Sequence, residues 1–159
     1  MTDDKPLVGI VYGSPTDIEL VEAAAKVLER FGVGFEAVQL SAHRSPEQTA
    51  TYAEEASARG LKVLVGIAGM AAHLAGALAS RTPLPVIGVP AQGPGLGGLD
   101  ALLSTVQMPA GVPVATVAVG SAGAKNASLL AVQVLALSDP DLSRKLVEFK
   151  KEQAEKKVL

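Results

Sequence analysis

The chain has 159 residues, enough for one domain with a sizeable core. Hydrophobic residues make up 48%, which excludes a disordered chain, yet no apolar run reaches the length of a membrane span. A net charge of −2, with the basic residues scattered until the C-terminal tail, leaves no electrostatic footprint for nucleic acid, and the lack of cysteine excludes disulfides, thiolate metal sites and cysteine nucleophiles. Met1 to Lys5 leads straight into a strand pattern without the basic and apolar regions of a signal peptide, so a cytoplasmic protein is expected. Aromatic residues are only 3% while alanine and glycine are abundant, so close backbone packing has to replace the bulk of large rings.

Leu7 to Tyr12 is nearly continuous in apolar residues and predicts a strand buried on both faces. Gly13-Ser14-Pro15-Thr16-Asp17 is the turn after it, and a helix pattern runs from Pro15 to Arg30, ended by Gly32. A second strand, Val33 to Leu40, leads into Ser41-Ala42-His43-Arg44-Ser45-Pro46 and a helix from Pro46 to Arg59 that stops at Gly60. The third strand is Lys62 to Ile67, followed by Ala68 to His73 and a short alanine-rich helix to Ser80. Pro85 to Val89 is the fourth strand, and the glycine-rich stretch Pro90 to Gly98 reads as a mobile lid. A short helix, Leu99 to Val106, and a loop over 107–111 precede a fifth strand, Val114 to Val119. Such alternation predicts one α/β domain over residues 1–159, a parallel sheet with helices on both faces.

The last third has a different pattern. Ala127 to Leu137 is apolar around most of its circumference, so burial on every side is expected, part of it from another subunit. Asp139-Pro140 opens a final helix, with Leu142, Leu146 and Phe149 on one stripe and charged residues over the rest through Lys157. That C-terminal helix, residues 139–159, either docks on its own domain or packs on a neighbouring subunit.

The chemistry is expected at the carboxyl ends of the strands, where open α/β sheets bind ligands. Two turns stand out. His43, one of only two histidines, sits beside Arg44, and a group that titrates near neutral pH next to a fixed cation suits proton transfer on an anionic substrate. Ser45, Pro46 and Gln48 also read as a helix cap with a capping-box partner, which leaves the His-Arg pair unexplained. In the first turn, free N–H groups at a helix start favour a phosphate, Ser14 and Thr16 add hydroxyls, and Asp17 can accept from a ribose. Ser14 and Asp17 have capping-box spacing as well, and a cap can also line a site. His73, the second histidine, again follows a strand, though a histidine at a helix start is more often structural. Glycines 93, 95, 97 and 98 do not form a dinucleotide fingerprint, because they follow the fourth strand and enclose Pro94. No Walker lysine, metal-ligand spacing or nucleophile elbow is present.

Taken together, Gly13-Ser-x-x-Asp17, Ser41-Ala-His-Arg44, Ala71-Ala-His-Leu74, Gly88-Val-Pro90, Val106-Gln-Met-Pro109 and Asn126-Ala-x-Leu-Leu130 resemble, in order and spacing, the 5-(carboxyamino)imidazole ribonucleotide mutase family of de novo purine synthesis. The resemblance covers essentially the whole domain. It implies a flavodoxin-like three-layer α/β/α sandwich, a homo-octamer and no cofactor; no metal is expected either, because the two histidines lie far apart in sequence with no acidic companions nearby. The implied reaction moves a carboxylate from the exocyclic nitrogen to ring carbon 4 of an aminoimidazole ribonucleotide, by decarboxylation and recarboxylation. By the same resemblance Ser14 and Asp17 hold phosphate and ribose, Arg44 neutralises phosphate charge, and His43 is the general acid and base. Ser41, Ala68, Gly69, His73 and Leu74 line the pocket around the imidazole and its carboxylate. Pro15, Thr16, Met70 and Ala75 depart from the common family pattern, Met70 standing where glycine is frequent. A direct carboxylase of the same ribonucleotide typically has lysine after the histidine and Arg-Ser-Asn in place of Met70-Ala71-Ala72, so Arg44 and the two alanines favour the mutase. A non-catalytic nucleotide-binding module is the third reading, and it has no use for His43. A phosphoacceptor receiver is excluded by the missing acidic cluster and lysine.

Overall fold

In the computed structural model, which describes residues 5–155, the strands are β1 (Val8–Tyr12), β2 (Phe35–Gln39), β3 (Val63–Ala68), β4 (Val86–Pro90) and β5 (Ala115–Thr116). The helices are α1 (Ile18–Phe31), α2 (Pro46–Glu55), α3 (Leu74–Ala79), α4 (Leu99–Val106), α5 (Ser121–Ala136) and α6 (Pro140–Ala154). All strand pairs are parallel, in the order β2-β1-β3-β4-β5. The order reverses between β1 and β3, and the loops leaving their carboxyl ends diverge there to open a crevice.

Strand alternation divides the interior into two cores. Val8, Ile10, Val63, Val65, Ile67, Ile87 and Val89 pack with α1, α5 and α6 on one face. On the other, Val11, Leu64 and Val86 meet Ala53 of α2 and Leu74, Ala75 and Leu78 of α3, while α4 lies over β4 and β5. The second face is built from very small residues. A Cβ added at Gly66 would lie 3.0 Å from Ala75 Cα, and one at Gly88 only 2.4 Å from Thr105 Cγ2. Helix and sheet backbones are nearly in contact there, as the scarcity of aromatic rings requires.

Local signals set most boundaries. Gly32 ends α1 at φ 71, a left-handed conformation that costs glycine little. Asp139 caps α6 by accepting from the N–H groups of Asp141 and Leu142. Other boundaries differ from the expectation. β5 keeps only two of the residues from Val114 to Val119, although Val117 and Gly120 still donate to the Gly88 and Pro90 carbonyls of β4. The second helix tightens into turns after Glu55 instead of running to Arg59.

α5 starts at Ser121, and α1, α6, β3 and β4 of its own chain pack on it. Only its last apolar neighbour, Leu137, is left 89% exposed. α6 docks on the same layer. Its Phe149 meets Phe31 edge-on with centroids 5.6 Å apart, the Arg30 guanidinium lies over the Phe149 ring, and Lys145 Nζ donates to the Phe31 carbonyl at 2.8 Å. An Arg30–Glu152 ion pair closes the seam. Met1 to Asp4 and the charged continuation to Lys157 fall outside the described residues. Among the described residues no helix is long and apolar enough to cross a membrane.

Candidate active site

The loops leaving β1, β2, β3, β4 and β5 enclose one cavity of about 900 Å³ at the carboxyl end of the sheet. Ser14, Asp17, Ser41, His43, Arg44, Ala68, Gly69, His73 and Leu74 all line it. The crevice expected from the strand-helix alternation thus gathers every candidate residue into one place.

In the first loop, the Ser14–Asp17 turn is a cap that also lines the cavity. Ser14 caps a 3-10 turn over Pro15–Asp17, its Oγ accepting from Thr16 N–H, while Asp17 Oδ2 accepts from Ser14 N–H at 3.0 Å. The same two side chains face the cavity. Asp17 is buried, and loss of solvent pushes its carboxyl above its ordinary value; the N–H groups of Ser14 and Gly13 and the charge of Arg44 pull the other way.

The second loop is clamped internally. Ser45 does not cap α2 with its side chain, contrary to the capping-box expectation. Its hydroxyl instead turns back, donating to the Ser41 carbonyl at 3.1 Å and accepting from Ser41 N–H at 3.0 Å. Ser41 Oγ in turn accepts from Arg44 N–H at 3.2 Å. The tight loop turns His43 and Arg44 outward into the cavity. Arg44 then reaches across to the first loop, where Nη2 donates to the Gly13 carbonyl at 2.7 Å. Its guanidinium therefore stands over the anion-suited helix start, with further N–H groups to offer.

The third loop carries a contact that sequence spacing did not disclose. His73, at the cap of α3, presents Nδ1 to His43 Nε2 at 2.7 Å, and the rings meet edge-on with centroids 4.9 Å apart. The expectation had given proton transfer to His43 alone and placed His73 in the pocket lining, at a helix start where a histidine is more often structural. Their contact joins residues 30 positions apart, beyond any local pattern. Just before it, Met70 adopts φ 56, the one non-glycine residue with a positive φ among those described, and its side chain stands 62% exposed at the cavity mouth.

Sequence reasoning also missed Gly120 and Ser121, which open α5 and close the cavity's far side. They follow β5 as the other site turns follow their strands, so the same positional rule would have found them. Gln92, Gly93 and Pro94 of the proposed lid line the cavity too. Among the described residues no three His, Asp or Glu side chains gather as a metal site. Chemically the cavity offers a guanidinium, hydroxyls and a buried carboxylate at one end and a titratable imidazole pair beside them.

The chain is similar to known proteins along nearly its whole length. The AIR carboxylase family matches residues 7–156. The N5-carboxyaminoimidazole ribonucleotide mutase of Bacillus subtilis is 54% identical over 144 residues, covering 91% of this chain and 89% of that protein. The mutase of the same name from Pyrococcus horikoshii is 50% identical over 156 residues, covering 98% and 87%. The crystal structure of Treponema denticola PurE superposes with a TM-score of 0.85 at 28% identity, covering 95% of this chain and 93% of that one.

Proposed function

The chain belongs to the AIR carboxylase family, and from that membership we propose that it converts 5-(carboxyamino)imidazole ribonucleotide to 4-carboxy-5-aminoimidazole ribonucleotide. The observation that most supports this is the convergence of His43, Arg44, Asp17 and Ser14 on one cavity large enough for a nucleotide. Arg44 and the Ser14 turn bind the phosphate, and Asp17 accepts from the ribose. His43 delivers a proton to the exocyclic nitrogen as the carboxylate leaves as carbon dioxide. The same ring then removes the proton from carbon 4 after that carbon has attacked the trapped carbon dioxide. Protons balance over the cycle, so one group serves both halves. Loss of carbon dioxide to solvent is opposed by the loop over 91–98 and by the apolar lining of Ala68, Ala71 and Leu74.

The substrate is a small molecule, the setting is the cytoplasm, and the working state is a homo-octamer. Support for assembly comes from Leu99, Leu103 and Val106, which run along one exposed side of α4, with Leu96 exposed just ahead of it.

The test is to incubate the protein with each ribonucleotide, the carboxyamino and the unmodified one, with and without bicarbonate. Turnover of the first without added bicarbonate is the expected result. Consumption of the second alone, and only with bicarbonate, would make the chain a direct carboxylase; turnover of neither would make it a binding module. His43→Asn should lower turnover by about a hundred- to ten-thousand-fold while the ribonucleotide still binds.

A further inference from the structure

The contact between the two imidazoles limits how they hold protons. With His43 Nε2 and His73 Nδ1 2.7 Å apart, one nitrogen must donate and the other accept. Two neutral rings satisfy this with one N–H between them, and so does a pair carrying one extra proton. A doubly protonated pair would aim two N–H groups and two charges at each other.

The reaction decides which ring should carry the extra proton. His43 must begin protonated, because it first gives a proton to nitrogen and recovers one from carbon 4. Yet Arg44 stands beside it in the chain, and a fixed cation disfavours a second one nearby. The other charged groups lining the cavity are Asp17 and Glu19; the loops after β3, β4 and β5 add no titratable side chain except His73.

We propose that His73 is a positioning residue for His43. In the free enzyme its Nδ1 lone pair accepts the Nε2–H of protonated His43, holding the working proton on that ring until the substrate nitrogen takes it. His73 must then be the Nε2–H tautomer. The pairing builds on the acid–base role proposed above for His43.

Two histidines in the whole chain make the pair readable by NMR of ¹⁵N-histidine-labelled protein in its native assembly. In His73→Leu the protonation midpoint of His43 should fall by about one pH unit, the value of one charge-assisted hydrogen bond. The alkaline limb of kcat/KM, which reports the free enzyme, should move to lower pH by the same amount. His73→Asn places an amide oxygen near the lost Nδ1 and should recover at least half of both shifts. A midpoint for His43 that stays put in folded His73→Leu would overturn the pairing, even with His43→Asn inactive. Conversely, full turnover in His43→Asn would remove the acid–base reading, while the NMR midpoints would still decide whether the rings share a proton.

Discussion

Asp17 illustrates a residue held in place against its own preference. Burial raises its carboxyl above the ordinary value, so ionising it costs the folded state. That cost is absent below the ordinary carboxylate range, grows as pH rises through it, and is complete above the raised value. Asp17→Asn removes the charge but keeps an oxygen to accept from Ser14 N–H. Thermal unfolding should therefore find the variant level with the parent in acid and more stable at neutral pH, with ribonucleotide binding weakened at least tenfold. A variant less stable than the parent at neutral pH would contradict this account. Met70 is a second such residue. Its left-handed backbone costs about 1–2 kcal/mol, partly offset in a glycine variant by about 0.5–1 kcal/mol of extra chain entropy. Met70→Gly should gain roughly 0.5–1 kcal/mol in chemical denaturation, and a loss would show that its side chain holds the lid. At this scale the sequence was most informative where residue type and position coincide. Ser14, Asp17, His43 and Arg44 each lie in a turn just past an apolar run, and their part in the cavity followed from that. The His43–His73 bond did not, because it depends on how the loops after β2 and β3 meet across β1, which lies between those strands.

Elements were legible where their ends are marked. α4 runs over the predicted Leu99 to Val106, and α1 stops at Gly32. α5 was read too short because Ser121-Ala-Gly-Ala-Lys-Asn126 lacks apolar periodicity, and small residues there serve close packing instead: a Cβ on Gly123 would lie 1.6 Å from the Ala118 carbonyl oxygen. Its apolar circumference signals burial but not by which chain, and α1, α6, β3 and β4 of the same chain pack on it. α6 is one of the covering elements, anchored by Leu142 and by Phe149, which is 2% exposed. Phe149→Ala should cost about 3–5 kcal/mol in urea unfolding without changing the mass of the assembly. Dissociation at unchanged monomer stability would instead mark α6 as an arm between subunits.

For the whole molecule, the surface left over after α5 and α6 are accounted for is the exposed side of α4. Leu99, Leu103 and Val106 recur at helical spacing with Leu96 just ahead, and all four stay exposed among the described residues. Replacing Leu99 and Leu103 together by Asp should lower the sedimenting mass toward that of one chain while leaving its circular dichroism intact. An unchanged particle would place the subunit contact elsewhere. The layout of the layers has a consequence for how the protein is made. α1 is complete by residue 31, but Val21, Val27, Leu28 and Phe31 are covered by α5 and α6, which begin at residues 121 and 140. At a synthesis rate of about 5–20 residues per second, that face stays bare on the ribosome for several seconds. The nascent chain is therefore at its stickiest while its active-site loops are already being translated, and the arrival of α5 and α6 is what closes this face.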